Sequence, residues 1–174
     1  MKENVNTERA TLIPPSTVRF ERLLPGPIER VWAYLTESKK RATWLAAGEF
    51  DLRVGGKVEL RFENSKLSDD IAPADAGVRS FEGRITRLEP LRVLAHTWNW
   101  DGRDAEVLYE LTPKGKDVLL TIHHKLPDER GLKVGVSAGW VVHTGILEDQ
   151  LRGVKPRPFY ATHARLMKDY ETMA

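Results

Sequence analysis

The chain contains no cysteine among its 174 residues. This absence excludes disulfide bonds, thiol nucleophiles and thiolate metal ligands together, and it fits a reducing, cytoplasmic compartment. The sequence has no run of about 18 apolar residues and therefore predicts no membrane span, and residues 1–15 lack the pattern of an export signal. Neither sign of charge dominates, because 27 basic side chains stand against 25 acidic ones. Such a mixed surface argues against a nucleic-acid partner.

What the sequence does contain is a change of hydrophobic period along the chain. Residues 1–16 are polar, end in two prolines, and predict a disordered tail. Thr17 to Leu24 alternates apolar and polar residues, which predicts a first strand. Pro27 is suited to the start of a helix predicted over Ile28 to Thr36, since its missing N–H costs nothing there. Ser38 is expected to cap a second, short helix.

The central part of the chain predicts an antiparallel meander. Alternation on both sides of Gly55-Gly56 predicts a hairpin of Phe50–Val54 with Val58–Phe62. Residues 64–77 carry acids, Pro and Gly, and predict an exposed loop. Short turns then connect four further predicted strands, which are Val78–Leu88, Arg92–Trp100, Ala105–Thr112 and Asp117–Leu126.

Two helices are predicted to end the chain. The first is capped by Ser137 and ends at Gly153, and the second, amphipathic and basic, covers Phe159 to Met173. The order of elements predicts an α+β fold in which a curved antiparallel sheet of about six or seven strands wraps around the long helix. We expect one domain over residues 17–153, with a helical extension over residues 154–174.

Several short motifs carry a family resemblance through their order and spacing. They are Pro27–Trp32, Trp44-Leu45, Phe50–Gly56, Phe81–Ile85, Leu94–Trp98, Tyr109–Pro113 and Ala138–Trp140. Over about Thr17 to Leu151, the chain resembles the activator-of-heat-shock-protein-90-ATPase homologue family, within the START/pollen-allergen-like (SRPBCC) helix-grip superfamily. The resemblance implies a deep cavity between the sheet and the C-terminal helix that holds hydrophobic molecules. Thr144 and Gly145 depart from the family, which often has Leu and Asp there, and both are expected to face the cavity.

The pocket candidates are aromatic residues and histidines on faces expected to be concave. Strand alternation puts His96 on the same face as Trp98 and Trp100, and one of His123 and His124 must point inward. The candidate cavity residues are Trp44, Phe62, Phe81, His96, Trp98, Trp100, Tyr109, His124, Trp140 and His143. The histidines are open to three interpretations: ligand anchors, hydrogen-bonded structural residues, or metal ligands. Because no HExxH or comparable signature occurs, we expect neither a metal nor a cofactor.

The sequence is compatible with three functions. The first is non-catalytic binding of a small hydrophobic or aromatic molecule between sheet and helix. The second is a protein-interaction module, either co-chaperone-like by family analogy or a homodimer formed through the C-terminal segment. The third is an enzyme, such as a cyclase, isomerase or hydrolase, that uses a cavity histidine as its base. No pair of acids and no nucleophile elbow in the sequence predicts catalysis.

Overall fold

The fold is a seven-stranded antiparallel sheet with four α-helices, given by a computed structural model that describes residues 9–100 and 102–172, with Trp100 described by its backbone alone. The strands are β1 Thr11–Ile13, β2 Thr17–Pro25, β3 Lys57–Phe62, β4 Arg79–Glu89, β5 Val93–Trp100, β6 Arg103–Lys114 and β7 Asp117–Lys125. The helices are α1 Ile28–Thr36, α2 Ser38–Arg41, α3 Arg130–Arg152 and α4 Phe159–Thr172. The predicted α+β helix-grip fold is therefore confirmed.

The sheet curves around α3, and strand alternation decides which side chains meet that helix. The strand order is β1-β2-β7-β6-β5-β4-β3, with every pair antiparallel. On β7, Val118, Leu120, Ile122 and His124 are buried on the inner face. Burying this apolar face against α3 is the main source of stability, at roughly 25 cal/mol per Å² of apolar surface removed from water.

Helix α3 begins about two turns earlier than predicted. Ser137 was expected to cap it, but the helix starts at Arg130, and Ser137 lies inside it and is buried. The first turns contain Gly131 and Gly135, which interrupt the apolar stripe and hide the helical period. The predicted end is correct, because Gly153 adopts the left-handed conformation, with φ 68°, that ends many helices.

The predicted role of Ser38 is also wrong. Ser38 is the first residue of α2, and the position before it makes no side-chain capping bond. Its hydroxyl instead accepts a hydrogen bond from the backbone N–H of Gly48, at 2.9 Å. The serine therefore ties the start of α2 to the segment that leads into the sheet.

The predicted hairpin around Gly55-Gly56 forms only one of its two strands. Val58 to Phe62 lies in β3, but residues 51–56 belong to no strand and turn at residues 53–55, and in the first half only Phe50 forms a bridge, to Val58. The backbone N–H of Gly55 donates to the carbonyl of Ile85, so this turn binds β4 rather than continuing a ladder. As a result, Leu52 and Val54 are exposed, although their alternation suggested a buried strand face.

The N-terminal segment is more ordered than predicted. Residues 1–16 were expected to form a disordered tail, but Thr11–Ile13 pairs with β2 as an edge strand, and Ser16 is buried. The backbone N–H of Ala10 donates to the hydroxyl of Tyr170, at 2.6 Å. The rest of the predicted tail, residues 1–8, lies outside the described residues.

Helix α4 packs on α3, and its apolar side chains join the core. Phe159, Leu166 and Tyr170 are buried in the same cluster as the sheet residues. The loop predicted over residues 64–77 supplies the cap of this helix, because Ser68 and Asp70 accept hydrogen bonds from its first backbone N–H groups. In the described part of the chain, no helix combines the length and apolarity needed to cross a bilayer.

Candidate functional site

A cavity of about 70 Å³ lies between the inner face of the sheet and α3. The sheet contributes one residue from each of β3, β5 and β7, which are Phe62, Trp98 and His124. The remaining lining residues are Leu45, Val136, Gly139, Trp140 and His143. The walls are therefore mainly apolar and aromatic, with two imidazoles as the polar groups, which is the composition typical of small-molecule sites.

The aromatic walls hold one another in place. Trp98 stacks against Phe62, with ring centroids 5.6 Å apart, and meets Trp140 edge-on at 6.2 Å. The ring of His124 lies 5.1 Å from that of Trp98. Offset and edge-to-face ring pairs each contribute about 0.5–1.5 kcal/mol beyond burial, so these contacts stabilise the observed arrangement of the walls.

His124 is held by Trp140 across the sheet–helix interface. The indole Nε1–H of Trp140 donates to Nδ1 of His124, at 3.0 Å. An imidazole nitrogen that accepts a hydrogen bond carries no proton, so the neutral ring has its proton on Nε2. Burial, with a smaller contribution from His96, lowers the pKa of His124 to about 3, so the ring is uncharged at neutral pH.

His143 has the opposite tautomer. Its Nδ1 lies 2.8 Å from the backbone carbonyl oxygen of Trp44, and because a carbonyl can only accept, Nδ1 carries the proton. Nε2 is therefore the lone-pair nitrogen of this ring. Burial lowers the pKa of His143 to about 4, partly opposed by the bond to Trp44. The cavity thus presents two neutral imidazoles with their protons on different nitrogens.

His96 and Tyr109 pack behind the cavity wall. Nδ1 of His96 donates to the carbonyl of Thr97 at 2.9 Å, and the ring lies edge-on to Phe50. Burial lowers the pKa of His96 to about 4. Burial also raises the pKa of Tyr109 well above its usual range, so the phenol remains protonated. Neither residue lines the cavity.

The structure brings together five of the ten candidate residues from the sequence, which are Phe62, Trp98, His124, Trp140 and His143. Four others, Trp44, Phe81, His96 and Tyr109, lie outside the lining. The side chain of Trp100 lies outside the described residues. Between the two adjacent strand histidines, His124 is the one that points inward, whereas His123 is half-exposed on the outer face.

Three lining residues were not predicted. Leu45 and Val136 come from a loop and from the unpredicted start of α3, so no periodicity marked them. The third unpredicted lining residue is Gly139, where an added Cβ would meet no heavy atom within 4 Å. A glycine inside a helix costs about 1 kcal/mol relative to alanine. A glycine in the interior of the predicted helix was therefore the one sequence feature that could have marked this position as part of a cavity wall.

Thr144 and Gly145 do not face the cavity, contrary to expectation. The hydroxyl of Thr144 accepts a hydrogen bond from Nε of the buried Arg22, at 3.0 Å. A Cβ at Gly145 would lie 2.6 Å from Nη1 of Arg157, so the glycine makes room for that guanidinium. Arg157 in turn binds Asp149 through two nitrogens, at 2.8 and 2.9 Å. The two departures from the family therefore support a charged network on another face of α3.

Among residues 9–100 and 102–172, no group of three or more His, Asp or Glu side chains could hold a metal ion. The three buried histidines, His96, His124 and His143, instead each make a hydrogen bond to a backbone carbonyl or to Trp140. The cavity can therefore hold an apolar body by contact and orient a polar group through an imidazole.

The buried histidines predict a loss of stability in acid. The pKa of His96 is about 4 in the fold, against about 6.5 in an unfolded chain, so the unfolded chain binds more protons between these values. The contribution of the uncharged His96 to stability is therefore fully present above about pH 6.5 and decreases as the pH falls toward 4. Between pH 7.5 and pH 5 we expect each such histidine to remove about 2 kcal/mol from the free energy of unfolding.

Urea denaturation of His96→Phe at the two pH values tests this expectation. The variant should lose about 2 kcal/mol less than the unsubstituted chain over that range. His123→Gln, on the outer face, is the matched control and should retain the full loss. An acid loss of the same size in both variants would contradict the assignment to His96.

Comparison with known proteins places this geometry in a family. The family described as Activator of Hsp90 ATPase homolog 1-like protein matches residues 25–152. A Bordetella parapertussis protein, known from a solution structure, is 38% identical to this chain. The alignment covers 94% of this chain and 89% of the Bordetella protein, with a TM-score of 0.79. A search of curated proteins finds no match.

Two more distant structures share the fold. CalU16 from Micromonospora echinospora is 23% identical, and the alignment covers 95% of this chain and 94% of CalU16, with a TM-score of 0.69. DynU16, from the dynemicin biosynthetic locus, is 22% identical, and the alignment covers 82% of this chain and 49% of DynU16, with a TM-score of 0.66. The match to the family over residues 25–152 and the 38% identical Bordetella protein show that the chain, with its helix-grip fold, belongs to the Activator of Hsp90 ATPase homolog 1-like family.

Proposed function

We propose that this protein binds a small, uncharged, apolar or aromatic molecule in the cavity between the sheet and α3. The observation that carries the proposal is the cavity itself, walled by stacked aromatic rings where the side chain of Gly139 is missing. A void in a core forfeits dispersion contacts and lowers stability. A glycine that keeps such a void open is favoured where a ligand fills it.

The size of the cavity limits the ligand and requires some movement of the wall. A cavity of roughly 150 Å³ accepts benzene, and the 70 Å³ observed here is about half of that. Phe62 is the wall residue best placed to move, because it is the last residue of the edge strand β3 and is only half-buried. Rotation of its ring would widen the cavity without disturbing the sheet.

The charge state of the wall favours a neutral ligand over catalysis. Both lining histidines are uncharged at neutral pH, so neither offers an ion pair that would offset the cost of burying a charged ligand. A general base works best with a pKa near the working pH, and values of about 3 and 4 lie far below it. Binding is therefore favoured over the enzyme hypothesis. The co-chaperone, homodimer and cytoplasmic assignments stay predictions.

Gly139→Leu tests the proposal by filling the cavity from the helix side. Its side chain would enter open space, and leucine is the better helix former, so stability should be unchanged or higher by up to about 1 kcal/mol. Binding of small aromatic probes such as toluene, phenol and indole, followed by chemical shifts in ¹H–¹⁵N spectra, should weaken at least about tenfold, or about 1.4 kcal/mol.

Gly135→Leu is the matched control for that experiment. Gly135 lies one turn earlier in α3, also has no heavy atom within 4 Å of an added Cβ, and does not line the cavity. This variant should gain the same helix propensity and bind the probes as the unsubstituted chain does. If the unsubstituted protein bound none of the probes, or if Gly139→Leu bound them equally well, the proposed function would be wrong.

A further inference from the structure

We propose that the natural ligand carries a hydroxyl-type hydrogen-bond donor, as in a phenol or an alcohol, and that it donates to Nε2 of His143. This inference rests on the proposed function, because it assigns the chemical class of the molecule in the same cavity. His143 lines the cavity from α3, and the ring is buried but not fully enclosed.

The backbone fixes which nitrogen of His143 is available. The bond from Nδ1–H to the carbonyl of Trp44 leaves Nε2 with its lone pair. That bond is the only one that His143 makes to the described residues, so within residues 9–100 and 102–172 no donor reaches Nε2. Because His143 is 7% exposed, Nε2 faces a cavity that solvent can reach, and a bound ligand would exclude that solvent from it. An acceptor that loses water and gains no donor costs free energy, and a ligand hydroxyl avoids that cost.

The position of this acceptor is rigid. The His143 ring packs against Phe159, with ring centroids 5.1 Å apart, and the carbonyl of Trp44 fixes its rotation, so neither contact depends on the Phe62 ring. A rigid acceptor aligned in advance discriminates strongly, because a ligand that lacks the donor leaves the site's polar atom unsatisfied. The site should therefore prefer phenol to toluene, which has similar shape and lacks the donor.

The same lone pair disfavours anions. A carboxylate has no proton at neutral pH and would meet the Nε2 lone pair and aromatic faces, whose electron density is also negative. An ammonium group could donate, but it would have to lose its hydration in a cavity without a counter-ion among its lining residues. The chemistry of the site thus selects a neutral donor on a flat, apolar body.

Two substitutions separate the acceptor from the structural bond of His143. His143→Asn places an amide nitrogen near the position of Nδ1, which keeps the bond to Trp44 and removes the acceptor. His143→Gln places an amide oxygen near the position of Nε2, which keeps an acceptor and removes the bond to Trp44. The probes are phenol, toluene and benzoate, titrated into the full chain and followed in ¹H–¹⁵N spectra.

We expect the unsubstituted protein to bind phenol about tenfold more tightly than toluene, a difference of about 1.4 kcal/mol, and not to bind benzoate. His143→Asn should lose this preference while toluene affinity stays the same, and His143→Gln should keep part of it. Independently of any variant, the side-chain ¹⁵N resonance of Nε2 should move toward the value of a protonated nitrogen when phenol is added.

The outcomes distinguish this inference from the proposed function. Equal affinities for phenol and toluene, or an Nε2 resonance unmoved by bound phenol, would overturn the assignment of the donor and leave the binding function standing. Failure of all probes to bind would overturn both. Tighter binding of benzoate than of phenol would also reject the inference, because a carboxylate has no proton to donate to Nε2 of His143.

Discussion

Replacement of Arg41 by methionine is expected to lower the free energy of unfolding by about 4 kcal/mol. Arg41 is 1% exposed, and its guanidinium donates to backbone carbonyls that precede and follow α2 in the chain. The acceptors are the carbonyl oxygens of Leu35 at 3.1 Å, Thr36 at 3.2 Å, Ala46 at 3.1 Å, and Gly48. Methionine fills similar space but leaves these buried carbonyls without donors.

The charge of Arg41 adds to this effect. Its guanidinium lies 3.6 Å from the ring centroid of Phe50, a cation–π contact worth about 2 kcal/mol when desolvated. Burial lowers the pKa of Arg41 to about 10, so the group is still charged at neutral pH. Because Leu45 lies between the acceptor residues and lines the cavity, the substitution should also weaken binding of the aromatic probes.

Urea denaturation at pH 7.5 measures the expected loss, with Arg53→Met as the matched control. Arg53 is a surface residue, 71% exposed, that pairs with Asp51, and exposed ion pairs contribute about 0–1 kcal/mol. The control should therefore change the free energy of unfolding by less than about 0.5 kcal/mol. A similar small change for Arg41→Met would show that water replaces the guanidinium at these carbonyls.

The sequence predicted elements well where local pattern and boundary residues agreed. Helix α1 runs from Ile28 to Thr36 as predicted, because Pro27 precedes it and its apolar residues follow one helical period. The prediction of a hairpin was wrong because of tertiary contacts. Residues 51–56 make separate backbone hydrogen bonds to β3 and β4, and these bonds replace the strand that the alternation of Leu52 and Val54 predicted. Alternation alone cannot show where a turn finds its partners.

The site was predictable only as a set of strand and helix faces. Alternation correctly placed Trp98 and one strand histidine inward, because the period of 2 fixes a face. It could not show that His124 bonds to Trp140, or that Arg22 reaches Thr144 across 122 positions of sequence. These contacts depend on how α3 lies across the sheet. The tautomers of the two lining histidines follow from their bonds to Trp140 and to the carbonyl of Trp44, which no local sequence pattern predicts.

Replacement of Gly48 by alanine is expected to lower the free energy of unfolding by more than about 3 kcal/mol. Gly48 has a φ of 122°, which side chains rarely tolerate, and an added Cβ would overlap the backbone carbonyl of Glu59 on β3. Because the obstacle is backbone, it cannot rotate away. The segment would have to leave β3 and break the bonds that Gly48 makes to Ser38 and Arg41.

Gly55→Ala separates backbone strain from the clash. Gly55 also has a positive φ, of 85°, but an added Cβ there meets nothing within 4 Å, so only the strain of about 1–2 kcal/mol is expected. Both variants are compared by urea denaturation and by the ¹H–¹⁵N shifts of the Leu45 amide beside the cavity. Only Gly48→Ala should move that amide, because it displaces the segment that carries a cavity wall. Equal losses of stability in the two variants would show that the contact with Glu59 relaxes, and that β3 does not hold this wall in place.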